Sequence, residues 1–339
     1  MLVTENRYNL ISSSENVILE EALKFARKDL SLLNSKEKIE LYISYEKRFT
    51  NEHLKSLSQL NINKLYLLSC EKITRLNYLP LSIVELEVRE CGIKDIDLTY
   101  LPRTLTKLDV RNCEKITAQA LKLLPPFIKK LGINQITDLS LNYLTESKIE
   151  ELEISESKNV SDEGLKHLSH SIKALNVSQC KITDKCLYYL SRFPNLTSLN
   201  ISRCNEITGK GLKHLRAIEL NSLNLNFCEK ITDTCLNCLS QFPSLTDLVL
   251  SDTITDNGIK YLSPLLKLTR LDLSGNKNIT KTGLRSLSQL NLLQSLWCIK
   301  TAKEEELNYF PQLTNKINFG DQWHLVKNWV QALDNNESI

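Results

Sequence analysis

Apolar residues recur along most of the chain in one pattern, apolar-x-x-apolar-x-apolar-x-x-polar, which starts at residues 62, 83, 105, 128, 149, 172, 196, 220, 245, 268 and 293. Successive starts are 21 to 25 residues apart, giving eleven readable repeats, with weaker copies at Leu41/Ile43 and Ile317/Phe319. Two periods follow one another within a repeat. Leu223 and Leu225 alternate with Asn224 and Asn226, the period of a strand buried on one face. Leucines three apart then mark a helical stripe, as in Leu187/Leu190, Leu212/Leu215, Leu236/Leu239 and Leu284/Leu287. A hydroxyl residue followed by Asp stands where that helix begins, in Ser161-Asp162, Thr183-Asp184, Thr232-Asp233 and Thr255-Asp256. The hydroxyl caps open backbone N–H groups, and the carboxylate sits at the positive end of the helix dipole. Each repeat is therefore predicted to be a short strand, a turn, a helix and a return.

Residues outside the pattern agree with it. All eight prolines fall two to four residues before the next repeat, where a helix must stop. Just before the first helical leucine stand Ala120, Gly164, Cys186, Gly211, Cys235, Gly258 and Gly283, all small. Close packing against the following repeat is the expected reason. Cys70, Cys91, Cys113, Cys180, Cys204 and Cys228 share the ninth position with Ser157, Thr253, Asn276 and Thr301. Every one of these can hydrogen-bond, so the column is expected to satisfy backbone groups buried in the turn.

The string from Ile172 to Leu190, and again from Leu220 to Leu239, resembles the cysteine-containing leucine-rich repeat, whose familiar members are the substrate-recognition arms of F-box proteins. The resemblance covers about residues 38–320. It implies an α/β leucine-rich-repeat solenoid, a horseshoe of about 11–13 repeats with a parallel sheet on the concave face and helices on the convex face. It also implies that the concave face binds protein. Residues 1–37 are expected to form an N-terminal helical cap, with Leu19, Leu23, Ala26, Leu30 and Leu33 on one face. They lack the Leu-Pro opening of an F-box. Residues 321–339 are expected to form a C-terminal capping helix and tail, Asp321 capping a stripe of Trp323, Val326, Val330 and Leu333. Bacterial ubiquitin ligases that resemble this family add a large catalytic domain, for which this segment is too short.

Composition narrows the function classes. Forty-three basic against 40 acidic residues leave a net charge of +3, too balanced for a nucleic-acid or membrane surface. No apolar run approaches the roughly 20 residues needed to cross a bilayer. The first residues lack the basic-then-apolar order of a secretory signal, so ten cysteines in 339 residues suggest a reduced cytoplasmic protein and not a disulfide scaffold. Nine glycines give little material for a phosphate loop. Cys235-x-x-Cys238 and His167-x-x-His170 are isolated pairs whose positions the repeat explains, and no second pair completes a metal site. Neither enzymatic activity nor a cofactor is expected, and the chain is expected to be a monomer.

Strand alternation nominates the binding residues. The N-terminal zone of the concave face is charged, with Arg89 and Arg111 flanked by Glu87, Glu90 and Asp109, and with Tyr66 as an aromatic anchor. The middle is neutral Asn, Ser and Gln. The C-terminal zone offers Phe227, Val249, Trp297 and Ile299, with Arg203 as a charged selector. The plainer expectation for the charges is mutual pairing on a solvated sheet, and for the apolar residues cover by a cap or loop. The expected function is a protein–protein interaction module. Its Asn-, Lys- and Ser-rich, Gly-poor composition resembles effectors that intracellular bacteria deliver into host cells, which would place it in the host cytosol. The alternative is the substrate-recognition arm of a ubiquitin-ligase assembly with a divergent or missing F-box, which copurification of a Skp1-like adaptor would distinguish.

Overall fold

The computed structural model describes residues 2–4, 7–11, 39–297 and 317–318. These fall into two compact units, residues 1–154 with 167–171, and residues 155–166 with 172–339. Both units are built from the strand, turn and helix that the periodicity predicts.

In the first unit the strands are β1 (Leu2–Thr4), β2 (Arg7–Ile11), β3 (Ile39–Ser44), β4 (Ile62–Leu68), β5 (Glu85–Arg89), β6 (Lys107–Asp109), β7 (Lys130–Gly132) and β8 (Glu151–Glu153). They pair in chain order, β1 antiparallel to β2 and the rest parallel. Leu41, Leu65, Leu86, Leu108, Leu131 and Leu152 stand opposite one another strand by strand and are all buried. The expected N-terminal helical cap thus begins as two strands, with Tyr8 and Leu10 in register with Leu41 and Ile43. Leu19 to Leu33 lie outside the described residues.

The second unit repeats the arrangement with β9 (Ala174–Asn176), β10 (Ser198–Asn200), β11 (Ser222–Asn224), β12 (Asp247–Val249), β13 (Arg270–Asp272), β14 (Ser295–Trp297) and β15 (Ile317–Asn318), parallel throughout. Leu175, Leu199, Leu223, Leu248, Leu271 and Leu296 form its buried leucine row, which continues in register to Ile317. The weak repeats at both ends are therefore strands. The expected C-terminal capping helix lies outside the described residues.

The helical halves are partly 3-10 in the second unit, where Lys213–Ala217, Asn237–Gln241 and Lys260–Leu262 follow short α-helices, and depart further from the expectation in the first. Segments Asp95–Tyr100 and Ala118–Leu123 are 3-10 helices, and the stretch from Ile73 to Pro80 runs as turns. Chain length explains this. Ten residues separate Thr183 from Pro194, seven separate Thr117 from Pro125, and five separate Thr74 from Pro80. At roughly 2.0 Å per residue, seven residues of 3-10 helix span about the same distance as ten of α-helix at roughly 1.5 Å. Five span too little for either.

The Asp after each cap does more than face a helix dipole. Its carboxylate accepts both the backbone N–H and the hydroxyl of the Thr one repeat later. Asp162 holds Thr183 at 2.8 and 2.7 Å, and Asp184 holds Thr208 at 2.7 and 2.6 Å. Asp233 holds Thr255 and Asp256 holds Thr280 in the same way, as Asp95 does Thr117 in the first unit. This ladder corrects the reason for the small residues. A Cβ on Gly211, Gly258 or Gly283 would stand 2.2–2.3 Å from Asp184, Asp233 or Asp256, so the close neighbour is the preceding repeat and not the following one. One rung is exchanged. Gly209 stands where Asp is expected, and a Cβ there would meet Cys235 Sγ at 2.6 Å. Thr232 instead lies 3.2 Å from the Thr234 hydroxyl.

The cysteine column behaves as expected. The thiols of Cys70, Cys91, Cys113, Cys204 and Cys228 donate to backbone carbonyls of the preceding repeat, those of Ile43, Leu67, Val88, Val177 and Ile201. The nine described cysteines are free. Burial pushes the Cys70 and Cys228 thiols up to about 11 and those of Cys113 and Cys204 up to about 12. A thiol whose pKa is raised on folding contributes stability that is fully present below its unfolded value, near pH 8.5, and is lost as pH rises through the folded value. Stability should therefore fall between about pH 8.5 and 12, readable by urea titration at stepped pH. Thiol titration with Ellman's reagent at pH 8 should be slow on native protein and give ten thiols on unfolded protein; eight or fewer would show disulfides.

Candidate protein-binding surface

The exposed face of each sheet carries the residues between the strand leucines, and its charge differs between the units. In the first unit the charges are spent on one another. Arg89 meets Glu87 at 2.9 Å and Asp109 at 3.7 Å, while Arg111 grips Asp109 at 2.7 Å and reaches Glu153 at 3.5 Å. A column that strand alternation had not singled out completes the network, with Lys107 on Glu87 at 2.6 Å and Lys64 between Glu40 and Glu85. Half-exposed pairs of this kind contribute about 0–1 kcal/mol each. Tyr66, expected as an exposed anchor, is only 8% exposed. Its ring stacks on Tyr42 with centroids 4.1 Å apart, and its hydroxyl donates to Glu85 and Glu40. Burial, with the Tyr42 hydroxyl and the carboxylates beside it, holds this phenol well above its usual pKa. Arg89, Arg111 and Tyr66 are thus engaged within their own unit.

The second unit is neutral over β9, β10 and β11, and its asparagines are not simply wettable. The side-chain oxygens of Asn176, Asn200 and Asn224 accept the backbone N–H two residues on, at 2.9–3.0 Å, and Asp272 does the same for Ser274 at 2.7 Å. These turns of Asn and Asp end β9, β10, β11 and β13. Val249 and Trp297 stand on the sheet face, half-buried, with Asp272 between them in register. Ile299 lies outside the described residues.

The residue after each turn adopts left-handed backbone geometry. In the first unit these are Tyr45, Ser69, Glu90, Asn112 and Gln135, and in the second Glu156, Gln179, Arg203 and Phe227, with φ from 53° to 63°. Gly275 keeps the position at φ 91°. The backbone N–H groups of Ser69, Glu90, Glu156, Gln179 and Arg203 each donate to a carbonyl of the next repeat, which holds the strained conformation in place. Phe227 is 40% exposed, and the Arg203 guanidinium lies 4.4 Å from its ring centroid. Alternation alone had grouped these two with the sheet; the structure places them on the turn edge beside it.

Large apolar side chains are exposed on the helix side too. Ile96, Tyr100, Leu139 and Tyr143 in the first unit and Tyr188 in the second went unremarked in the sequence because they sit among polar helix neighbours. His214 packs edge-on against Tyr188, with ring centroids 5.5 Å apart. Among the described residues, no group of three His, Cys, Asp or Glu could hold a metal ion, and no helix is long and apolar enough to cross a membrane.

The family model of the leucine-rich repeat matches residues 168–191, 194–215 and 265–288. Among solved structures, the chain is similar to yeast Rad7, in its complex with Elc1, at 19% identity and TM-score 0.64 over 85% of each chain. It is similar to an internalin of Listeria monocytogenes at 18% identity and TM-score 0.54, over 89% of this chain and 95% of that one. LegL7, a leucine-rich repeat-containing protein of Legionella pneumophila, matches at 16% identity and TM-score 0.49 over 78% and 94%. The matched repeats, the row of parallel strands in each unit and the cysteine column agree: this chain is a leucine-rich repeat protein.

Proposed function

We propose that the chain is a non-enzymatic module that binds a protein partner on the strand-side face of its second unit, with Phe227, Val249 and Trp297 as apolar anchors and Arg203 as selector. Repeat scaffolds of this kind commonly present extended strand faces to partners. The observation that carries the reading is the contrast between the two faces. On the sheet of the first unit Arg89, Arg111 and Tyr66 are committed to neighbours and, among the described residues, the one exposed turn-edge ring, Tyr45, stands alone, whereas in the second Phe227 is 40% exposed beside the half-buried Val249 and Trp297. Binding energy concentrates in a few aromatic and arginine side chains, which fits Trp297, Phe227 and Arg203 better than the surrounding Asn and Ser. The partner is a protein and not nucleic acid or membrane, and the module acts as a monomer in the cytoplasm. Action as a bacterial effector in a host cytosol would extend this reading, on the strength of composition alone.

Phe227→Ala with Trp297→Ala should weaken binding of a captured partner at least tenfold while leaving Tm nearly unchanged. The matched helix-face pair, His167→Ala with His214→Ala, should leave binding intact. Unfolding of the aromatic pair would instead make these rings core beneath a covering segment. A second reading, a recognition arm carried on an adaptor, is favoured by the likeness to Rad7, which was solved together with Elc1. Co-expression with Elc1 and with a Skp1-like adaptor separates the two, since only the second reading expects a stable complex.

A further inference from the structure

Arg203 and Phe227 occupy the same position in consecutive repeats, at φ 58° and 53°. The Arg203 N–H donates to the Asn226 carbonyl at 2.8 Å, and the Asn226 N–H is itself held by the Asn224 side chain at 2.9 Å. The backbone carrying both side chains is thereby set in advance. The Arg203 Cζ lies over the Phe227 ring, 4.4 Å from its centroid. A phenyl ring accepts no N–H···O bond, so this contact leaves the guanidinium donors to be satisfied by another group. Among the described residues no carboxylate comes within ion-pair distance of Arg203. Arg270 on the same unit is paired with Asp247, and Arg89 and Arg111 of the first unit are paired as well. Along the edge, Gln179 turns to Glu156 at 3.5 Å, and Asp252 follows Phe227.

Taking the binding face assigned above as given, we propose that the Arg203–Phe227 pair is a specificity element for a carboxylate, the Asp or Glu side chain of an extended partner segment. The rim of the guanidinium takes the carboxylate through two parallel N–H···O bonds, and an apolar neighbour of that acid packs on the exposed part of the Phe227 ring. Charge favours a carboxylate over a phosphate. One guanidinium balances one negative charge, whereas a phosphoserine brings roughly −1.5 to −2 and needs a second cation. The next repeat offers the Asp252 carboxylate at that place.

Random-peptide phage display on the full chain is the test. Wild type should enrich peptides with Asp or Glu at a fixed place beside an aromatic or aliphatic residue. R203Q should lose the acid preference and keep the apolar one, and R203K should restore it in part. For one selected peptide, a Glu→Gln copy should bind wild type about tenfold more weakly and R203Q no more weakly than the parent peptide does. Equal binding of the two copies to wild type overturns the assignment, as does a phosphoserine copy binding more than tenfold tighter than the Glu copy. Peptides selected without acid preference, yet lost with Trp297→Ala, would sink the carboxylate element and leave the binding face standing. Selection that survives both Trp297→Ala and Phe227→Ala, or no enrichment over an R203Q/F227A variant, overturns both.

Discussion

Leu223→Ala is expected to lower the free energy of unfolding by about 2–5 kcal/mol. Leu223 is fully buried, and it lies in register between Leu199 on β10 and Leu248 on β12. Removing three side-chain carbons there loses transfer energy and leaves a cavity that neighbours on both sides are too constrained to fill. The neighbours of the cavity are themselves strand leucines fixed by the parallel ladder. Because each repeat touches only the ones beside it, the loss should remain local. Hydrogen exchange should speed up over β10, β11 and β12 and stay near wild type around β14, while urea unfolding becomes less cooperative. A cost below about 0.5 kcal/mol, or loss of protection spread evenly over the second unit, would contradict a nearest-neighbour stack.

The exchanged rung should show strong coupling between Gly209 and Cys235. Gly209→Asp alone drives a side chain into the Cys235 sulfur, which lies 2.6 Å from the required Cβ position, and overpacking of this kind costs about 1–3 kcal/mol. Cys235→Gly alone removes that sulfur and puts glycine into a helix, at about 0.5–1 kcal/mol or more. Together they rebuild the arrangement of Asp184 with Gly211 and of Asp233 with Gly258. The new carboxylate can then accept the Thr232 N–H and hydroxyl, as Asp184 does for Thr208. The double variant should be more stable than the sum of the single changes by about 1–3 kcal/mol, measured as a double-mutant cycle in urea. Additivity within about 0.5 kcal/mol would mean that the ladder contributes nothing at this joint.

The strand rows were legible because burial imposes a period of two on every repeat, and the same leucine column reappears from Leu65 to Leu152 and from Leu175 to Leu296. The cysteine column was legible for a related reason, since residues able to hydrogen-bond occupy it in every repeat but the one that starts at residue 128, where Ile136 stands. The Thr–Asp pair was seen, but its action was assigned within one repeat. Its true reach had no consistent sign in the sequence, since Gly209 loses the carboxylate one repeat before Cys235 whereas Asp162 keeps it one repeat before Cys186. The left-handed column had no sign at all. Its residues include Tyr, Ser, Glu, Asn, Gln, Arg and Phe, because the conformation is imposed by closing the turn and not by the side chain. Of the candidate binding residues, the pairing of Arg89 and Arg111 matched the plainer expectation for charged sheets. The burial of Tyr66 depends on Tyr42 from the neighbouring strand, a contact that no single repeat contains.

The left-handed column also bears on how such a scaffold can change. At residues 156, 179, 203 and 227 the backbone carries the same conformational strain whichever non-glycine side chain is present, so exchanging one for another leaves that cost nearly constant. The leucine rows and cysteine thiols that hold the stack lie elsewhere in the repeat. Display and cohesion are thereby uncoupled. Single substitutions along one edge can rewrite the surface chemistry without drawing on the stability of the core, which gives the fold a short mutational route from one partner to the next.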